Sequence, residues 1–295
     1  MKLSAAQLRE RVAEARTHYA HCDLCAHDCR VDRTRGPAGV CHEDDGLWLA
    51  GAGVHFGEEP GLVPSGLVLI GGCNLACAYC ETFEFSLERR GLVRTSPEEL
   101  AALLLDLSRR GARNANFVTP THVLPALLAG LAVACEHGFA LPVVWNCGGY
   151  ESAAALRLLD GIVDIYLPDA KYGDDARALE LSGCRGYTAA LSESLREMVR
   201  QVGPEGVIVR HLVLPGGVAA AEKVMPLLAA ISKQMTINIL SQYRPVHSAS
   251  HFPLITRGAN PSEVRAAVAV AVSAGLENVL LDGRRLEASG PKPEA

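Results

Sequence analysis

The sequence predicts an α/β fold: a partial (β/α)6 TIM-like barrel with a small cysteine-rich N-terminal segment. Three observations lead there. From about residue 61 onward, short apolar runs of strand type alternate with runs of helical length. Strict alternation of this kind builds a parallel sheet, because parallel neighbours need a long crossover between them. About six such units fit before the chain is used up, too few to close an eight-fold barrel. Finally, seven of the ten cysteines crowd into two short stretches, 22–41 and 73–80.

Taken in order, Met1 to Tyr19 mixes apolar and charged residues and reads as an amphipathic helix, not an export signal. Cys22, Cys25 and Cys29 then follow the spacing C-x2-C-x3-C, and Cys41 comes after the turn-rich stretch 35–40. Residues 1–60 form this segment, with 51–61, rich in glycine and glutamate, as a linker. The main domain is 61–283. Leu67–Gly71 is its first strand. Ser96-Pro97-Glu98-Glu99 starts a helix, with a hydroxyl cap, proline in the first turn and acids facing the helix dipole. Asn116–Val118 closes a second strand, and Thr121 caps a helix to about His137. Leu141–Asn146 is a third strand, with Pro142 at its entry where a missing N–H costs least. After a short helix (151–159) comes strand Val163–Leu167, then a helical insert over 174–202. Val207–Leu214, a helix over 219–231 and Met235–Leu240 follow. A polar loop (241–257), a helix (261–275) and one more short strand at Val279–Leu281 complete the domain. Residues 284–295 are expected to be a disordered tail.

The bulk numbers exclude some classes. The 295 residues are 49% hydrophobic and 21% charged, enough for one sizeable core. A net charge of −5 leaves no basic face, so a nucleic-acid partner is not expected. The longest apolar run, Val123 to Cys135, holds Pro125 and Gly130 and is too short to span a bilayer. Cysteines at metal-ligand spacing with no export signal predict a reducing, cytoplasmic setting.

The chemistry starts from Gly72-Cys73-Asn74-Leu75-Ala76-Cys77-Ala78-Tyr79-Cys80, spaced C-x3-C-x2-C directly after the first strand. Three thiolates are one short of the four that close a zinc site or saturate an iron–sulfur cluster. A cubane held here keeps one iron free for another ligand. The N-terminal Cys22, Cys25, Cys29 and Cys41 make a full set of four, suited to a second metal site. Structural zinc and an auxiliary iron–sulfur cluster both fit, reduced free thiols are the plain alternative, and His21, His27 and His42 stand near as substitute ligands. Polar residues also gather just after the predicted strands: Thr119, Thr121 and His122; Asn146 and Cys147; Asp169, Lys171 and Tyr172; Arg210 and His211; Gln242, Tyr243 and Arg244. Any one of them suits a cap or a solvated loop. Converging with a thiol loop on one barrel face, they read as a site.

The cysteine loop, with an aromatic residue before its last cysteine, resembles the signature of the radical S-adenosylmethionine (SAM) superfamily. A closer likeness runs over about residues 20–283, through Glu58-Glu59-Pro60, Val118–His122, Asn146–Glu151, Leu159–Tyr172, His211–Gly216 and Asn238–Tyr243. Together with the four-cysteine segment these resemble the homologues of pyruvate formate-lyase-activating enzyme. The resemblance implies a [4Fe–4S] cluster on Cys73, Cys77 and Cys80, whose open iron chelates SAM. It implies reductive cleavage to a 5′-deoxyadenosyl radical that abstracts hydrogen from a substrate, in the activating enzymes a backbone glycine of a partner enzyme. It casts Lys171 and Arg210 as catalytic. Thr119, Thr121, His122, Asn146, Asp169, Lys171 and Gln242 become cofactor-binding residues. An electron donor such as flavodoxin or ferredoxin and a protein or peptide substrate come with it; radical chemistry on a small molecule and a non-catalytic metal-binding or sensing role are the competing readings. The sequence departs from the pattern twice: a Gly-Gly-Glu motif is absent at 119–122, and Cys147 stands where threonine or serine is expected.

Overall fold

The computed structural model describes residues 3–57 and 59–286. In chain order the elements are α1 (Ala5–Thr17), β1 (Trp48–His55), β2 (Ser65–Ile70), α2 (Phe83–Ser86), β3 (Val93–Arg94), α3 (Pro97–Arg109), β4 (Ala115–Val118), α4 (Leu124–Glu136), β5 (Val143–Cys147), α5 (Ala153–Leu158), β6 (Ile165–Pro168), α6 (Asp175–Ser182), α7 (Tyr187–Val202), β7 (Ile208–Leu212), α8 (Ala221–Ile231), β8 (Thr236–Leu240), α9 (Pro261–Ser273), β9 (Asn278–Leu281) and β10 (Arg284–Arg285). Strands β2, β4, β5 and β6 are parallel neighbours, and so are β7, β8 and β9. Two parallel bridges, Tyr166 to Val207 and Asp169 to Arg210, join β6 to β7. The result is the predicted open α/β barrel, extended at one end by β9 and its short antiparallel partner β10.

Side-chain parity along the strands sorts the barrel. Trp145 and Phe117 pack against each other in the main core. The alternate residues Val144 and Leu167 form a small separate cluster with Leu62 inside the barrel. At the N-terminal strand ends a polar network closes the floor. Ser65 Oγ donates to Asn114 Oδ1, Asn114 Nδ2 to the Leu62 carbonyl, and Asn238 Nδ2 to Glu59 Oε1. Leu62 and Glu59, entering from the preceding chain, thus stopper this end. The opposite, C-terminal mouth receives the loops that carry chemistry.

The helices follow their signals. Ser96 and Glu99 form the capping box expected for α3, and Ser4/Gln7 and Asn260/Glu263 form two more. Helix α4 is apolar almost all round because α1 covers one side and α3 the other. No helix among the described residues is long and apolar enough to cross a membrane.

Three expectations need correction, and one is refined. The linker placed at 51–61 is strand through His55, pairing antiparallel with β2 over Leu49–His55. Its Gly51 and Gly53 hide the strand pattern, and pairing with an apolar neighbour supplies what propensity lacks. Thr121 caps no helix: it begins a 3-10 turn (Thr121–Val123), and α4 starts after it with no side-chain cap. The helical insert expected at 174–202 is present, as two helices, α6 and α7, parted where Gly183 and Gly186 turn left-handed. Of the tail, Arg284 and Arg285 pair as β10, and 287–295 lie outside the described residues.

Candidate functional site

The cysteine loop leaves β2 at the barrel mouth and is tied down along its length. The Gly72 N–H donates to the Phe85 carbonyl, that of Ala76 to Ser182 and that of Ala78 to Leu181. Each sulfur faces a donor or hydroxyl. Leu75 N–H points at Cys73 Sγ (3.3 Å), Ser182 Oγ donates to Cys77 Sγ (3.0 Å), and Cys80 Sγ lies 3.2 Å from Ser86 Oγ. Behind Ser182 runs a chain of hydroxyls, Tyr79 to Tyr172 (2.8 Å) and Tyr172 to Ser182 (2.7 Å). Burial pushes the Cys73 and Cys77 thiols up, and the Lys171 ammonium partly offsets this at both.

Across the mouth, Asp169 sits between two cations. Lys171 Nζ is 2.6 Å from its Oδ2 and Arg210 Nε is 2.8 Å from its Oδ1. Arg210 Nη2 also donates to Asn146 Oδ1 at 2.5 Å. Burial alone would raise the Asp169 carboxyl, but Arg210 and then Lys171 hold it below the usual carboxylate range. Burial likewise opposes the charge on Lys171, and Asp169 overrides it, keeping the amine well above its ordinary value. The turn is pinned by the buried Tyr187 hydroxyl, which accepts from Lys171 N–H and faces the Gly148 and Asp169 carbonyls. All four polar groups are thus fixed as ions or dipoles before anything binds.

The structure therefore brings Cys73, Cys77, Cys80, Asn146, Asp169, Lys171 and Arg210 to one mouth. Thr119 ends β4 with a left-handed backbone (φ 54°), its hydroxyl on the Val118 carbonyl. Gln242 is exposed on the loop after β8. Thr121 and His122 are not brought to the mouth. Both are 1% exposed. Thr121 Oγ1 accepts from Trp145 Nε1, and His122 Nε2 meets the Gly71 carbonyl at 2.9 Å, bracing the loop from beneath. Burial holds His122 near a pKa of about 3, so it is neutral. Cys147 falls on the outer strand face in the main core, where burial pushes its thiol well up. That environment suits an inert thiol. Sequence reasoning missed Ser182 and Tyr187, which lie in the helical insert and reach the site only through the fold.

The N-terminal segment touches the same loop on both sides of Cys73. His27 Nε2 meets the Asn74 carbonyl at 2.8 Å, so this histidine serves as a brace. The buried Glu43, ion-paired with Arg89, presses against Gly72. A Cβ on Gly72 would lie 2.2 Å from Glu43 Oε1.

The donor set suits an iron–sulfur cluster. Three thiols share a rigid loop, N–H and O–H groups aim at sulfur, and a lysine cation stands nearby, all of which favour thiolate ligation and set cluster potential. Among the described residues no three His, Cys, Asp or Glu side chains converge tightly enough to ligate one metal ion. A cubane does not require that convergence, since each thiolate binds a different iron.

No family model matches the chain. Over 276 residues it is 29% identical to an uncharacterized protein, MJ0674, of Methanocaldococcus jannaschii, a match spanning 90% of this chain and 79% of that one. Among solved structures it resembles a radical SAM methyltransferase from Sphaerobacter thermophilus, at a TM-score of 0.55 with 15% identity over 95% of this chain and 93% of the other. The two share a fold, the partial α/β barrel described above. A second likeness is to HydG, a maturase of the [FeFe]-hydrogenase, at a TM-score of 0.50 and 14% identity, covering 71% of this chain and 49% of that one.

Proposed function

We propose that this chain is a radical SAM enzyme of the activating-enzyme type. The observation that carries the reading is the meeting, at one barrel mouth, of the Cys73–Cys77–Cys80 loop with the Asp169–Lys171–Arg210–Asn146 network. Cys73, Cys77 and Cys80 would hold a [4Fe–4S] cluster, which together with SAM would supply one-electron reductive chemistry and hydrogen abstraction from the substrate. The chain's own residues do the rest. Lys171 and Arg210 place positive charge where a carboxylate binds, and Asp169 and Asn146 offer acceptors for an ammonium or a hydroxyl. The buried Tyr79, Tyr172 and Tyr187 wall the mouth with groups whose polar ends are already hydrogen-bonded, which limits water near a radical. Tyr243 adds to this wall, its ring 5.7 Å from that of Tyr79.

For the substrate we propose a backbone glycine of a partner protein, with electrons from flavodoxin or ferredoxin. The test is anaerobic. Reconstituted and reduced wild type should form 5′-deoxyadenosine from SAM, and the Cys73→Ala/Cys77→Ala/Cys80→Ala variant should form none. With a peptide deuterated at a glycine α-carbon, deuterium should appear in the deoxyadenosine. A fully loaded cluster that yields no deoxyadenosine sinks the reading. Deoxyadenosine without label from any glycine peptide moves the substrate to a small molecule or another peptide position.

A further inference from the structure

Arg33 is fully buried, yet none of its hydrogen-bond partners is a carboxylate. Its guanidinium donates to the carbonyls of Glu43 (3.0 Å), His122 (2.5 Å) and Asp44 (2.6 Å), points Nη1 at Cys22 Sγ (3.8 Å) and stacks over the Tyr19 ring. Taking a lone cation out of water costs several kcal/mol unless an anion compensates it. The ionisable groups that act on it are the Cys41 and Cys22 thiols and the Tyr19 phenol. Arg33 acts on Cys22 and Cys41, and these in turn share a field with Cys25 and Cys29. Free thiols are neutral and give Arg33 nothing. A metal-bound set of four thiolates is anionic and supplies the missing counter-charge.

The backbone around these cysteines is held in a costly shape. Asp28 and Arg30, on either side of Cys29, and His42, next to Cys41, all have left-handed backbones (φ 46°, 56° and 53°). Non-glycine residues in this region cost roughly 1–2 kcal/mol each, and such strain collects at ligand clamps. Tight pairing closes both loops: Cys22 N–H to the Val31 carbonyl, Arg30 N–H to the Cys22 carbonyl, and Ala38 N–H to the Glu43 carbonyl. The segment is also bonded to the first cysteine loop. The His27 imidazole contacts the Asn74 carbonyl, one residue from Cys73, and Cys25 bridges to Glu151 beside Tyr150, whose carbonyl accepts from both Ala26 N–H and Asn74 Nδ2.

We propose that Cys22, Cys25, Cys29 and Cys41 hold a second [4Fe–4S] cluster, with Arg33 as its buried counter-cation, and that it passes single electrons to the Cys73–Cys77–Cys80 site through the His27–Asn74 contact. Zinc on the same four sulfurs is the competing occupant; it is redox-inert and could carry no electron along that contact. In the relay, a reduced flavin or iron–sulfur protein gives one electron to the second cluster, taking it from the 2+ to the 1+ state. The second cluster returns to 2+ as the first goes to 1+, with no bond made or broken. The relay half rests on the proposed function of the Cys73 loop, whereas the second cluster does not.

The deciding protein is the Cys73→Ala/Cys77→Ala/Cys80→Ala variant, reconstituted without oxygen. It should keep about four irons and four sulfides per chain, against about eight of each in wild type. On reduction with dithionite it should give the paramagnetic resonance signal of a reduced cubane. Reduced wild type should show a spectrum broadened by two interacting spins, unlike the sum of the two single-cluster variants. A Cys22→Ser/Cys25→Ser/Cys29→Ser/Cys41→Ser variant supplies the other half of that sum; if it does not fold, the iron count of the triple variant still decides the site. An iron-free triple variant, or one that carries zinc, overturns the second cluster. A wild-type spectrum equal to the sum overturns the relay. Two reducible clusters with no deoxyadenosine would sink the radical SAM reading and leave the second cluster standing.

Discussion

Gly72→Ala tests whether the N-terminal segment sets the position of Cys73. Gly72 has a left-handed backbone (φ 78°) and precedes the first cysteine. Any side chain there incurs roughly 1–2 kcal/mol of backbone strain. The added Cβ would also lie 2.2 Å from Glu43 Oε1 and 3.0 Å from His122 Nε2. Glu43 cannot swing aside cheaply, because it is fully buried and ion-paired with Arg89. Overpacking of this kind adds roughly 1–3 kcal/mol. The total is about 2–5 kcal/mol, a drop in Tm of roughly 4–10 °C for a chain of this size. Gly91 provides the control: it has the same backbone sign (φ 67°) and nothing within 4 Å of its added Cβ. Gly91→Ala should therefore lose only the strain term, roughly 1–2 kcal/mol. Iron per chain after anaerobic reconstitution is the second readout. It should fall in Gly72→Ala, whose loop must shift at Cys73, and hold in Gly91→Ala. Equal Tm losses and equal iron in the two variants would refute the idea that Glu43 buttresses the loop.

Two further predictions read the mouth and the core. Arg210→Lys keeps a charge but cannot reach both Asp169 and Asn146 as the guanidinium does. The loss of one charge-assisted bond, roughly 1.5–3 kcal/mol, should weaken SAM use about 10–100-fold in deoxyadenosine assays while iron content stays unchanged; unchanged kinetics would remove Arg210 from the site. His211 is fully buried with Nδ1 on the Ala170 carbonyl, and burial lowers its pKa below 6.5. Since the unfolded chain takes up a proton that the folded one refuses, stability is full above about pH 6.5 and falls as pH drops through that value. His211→Asn should flatten part of that fall when denaturant midpoints at pH 8 and pH 5.5 are compared, and an unchanged slope would show that His211 is not the titrating group.

How much of this was legible depends on the range of the forces involved. The parallel strands were readable because they are buried on both faces and appear as unbroken apolar runs, as in Leu67–Ile70 and Val143–Trp145. Strand β1 was not, because Gly51 and Gly53 carry no pattern and the strand exists through its pairing with β2. The cysteine loop stood out because its spacing is a local pattern. Asn146, Asp169, Lys171 and Arg210 were readable one step later, since barrel topology sends every strand end to the same mouth. That same rule misplaced Thr121 and His122. They too follow a strand, but the left-handed Thr119 and the 3-10 turn after it carry the chain under the loop, a turn no local pattern marks.

The contacts that hold the site in place were beyond reach for a different reason. Ser182 to Cys77 spans 105 positions and His27 to Asn74 spans 47. No local pattern marks a serine near the end of a helix as a donor to sulfur, or a histidine among cysteines as a brace instead of a ligand. Arg33 is the instructive case. In sequence it is one arginine in a polar turn, and its composition predicts exposure. Only its complete burial, with carbonyls and a thiol as partners and no carboxylate, turns it into evidence about the charge of its surroundings. The spacing of Cys22, Cys25, Cys29 and Cys41 left zinc, iron–sulfur and free thiols open; the buried guanidinium argues against the last, because neutral thiols would leave a cation uncompensated in the core.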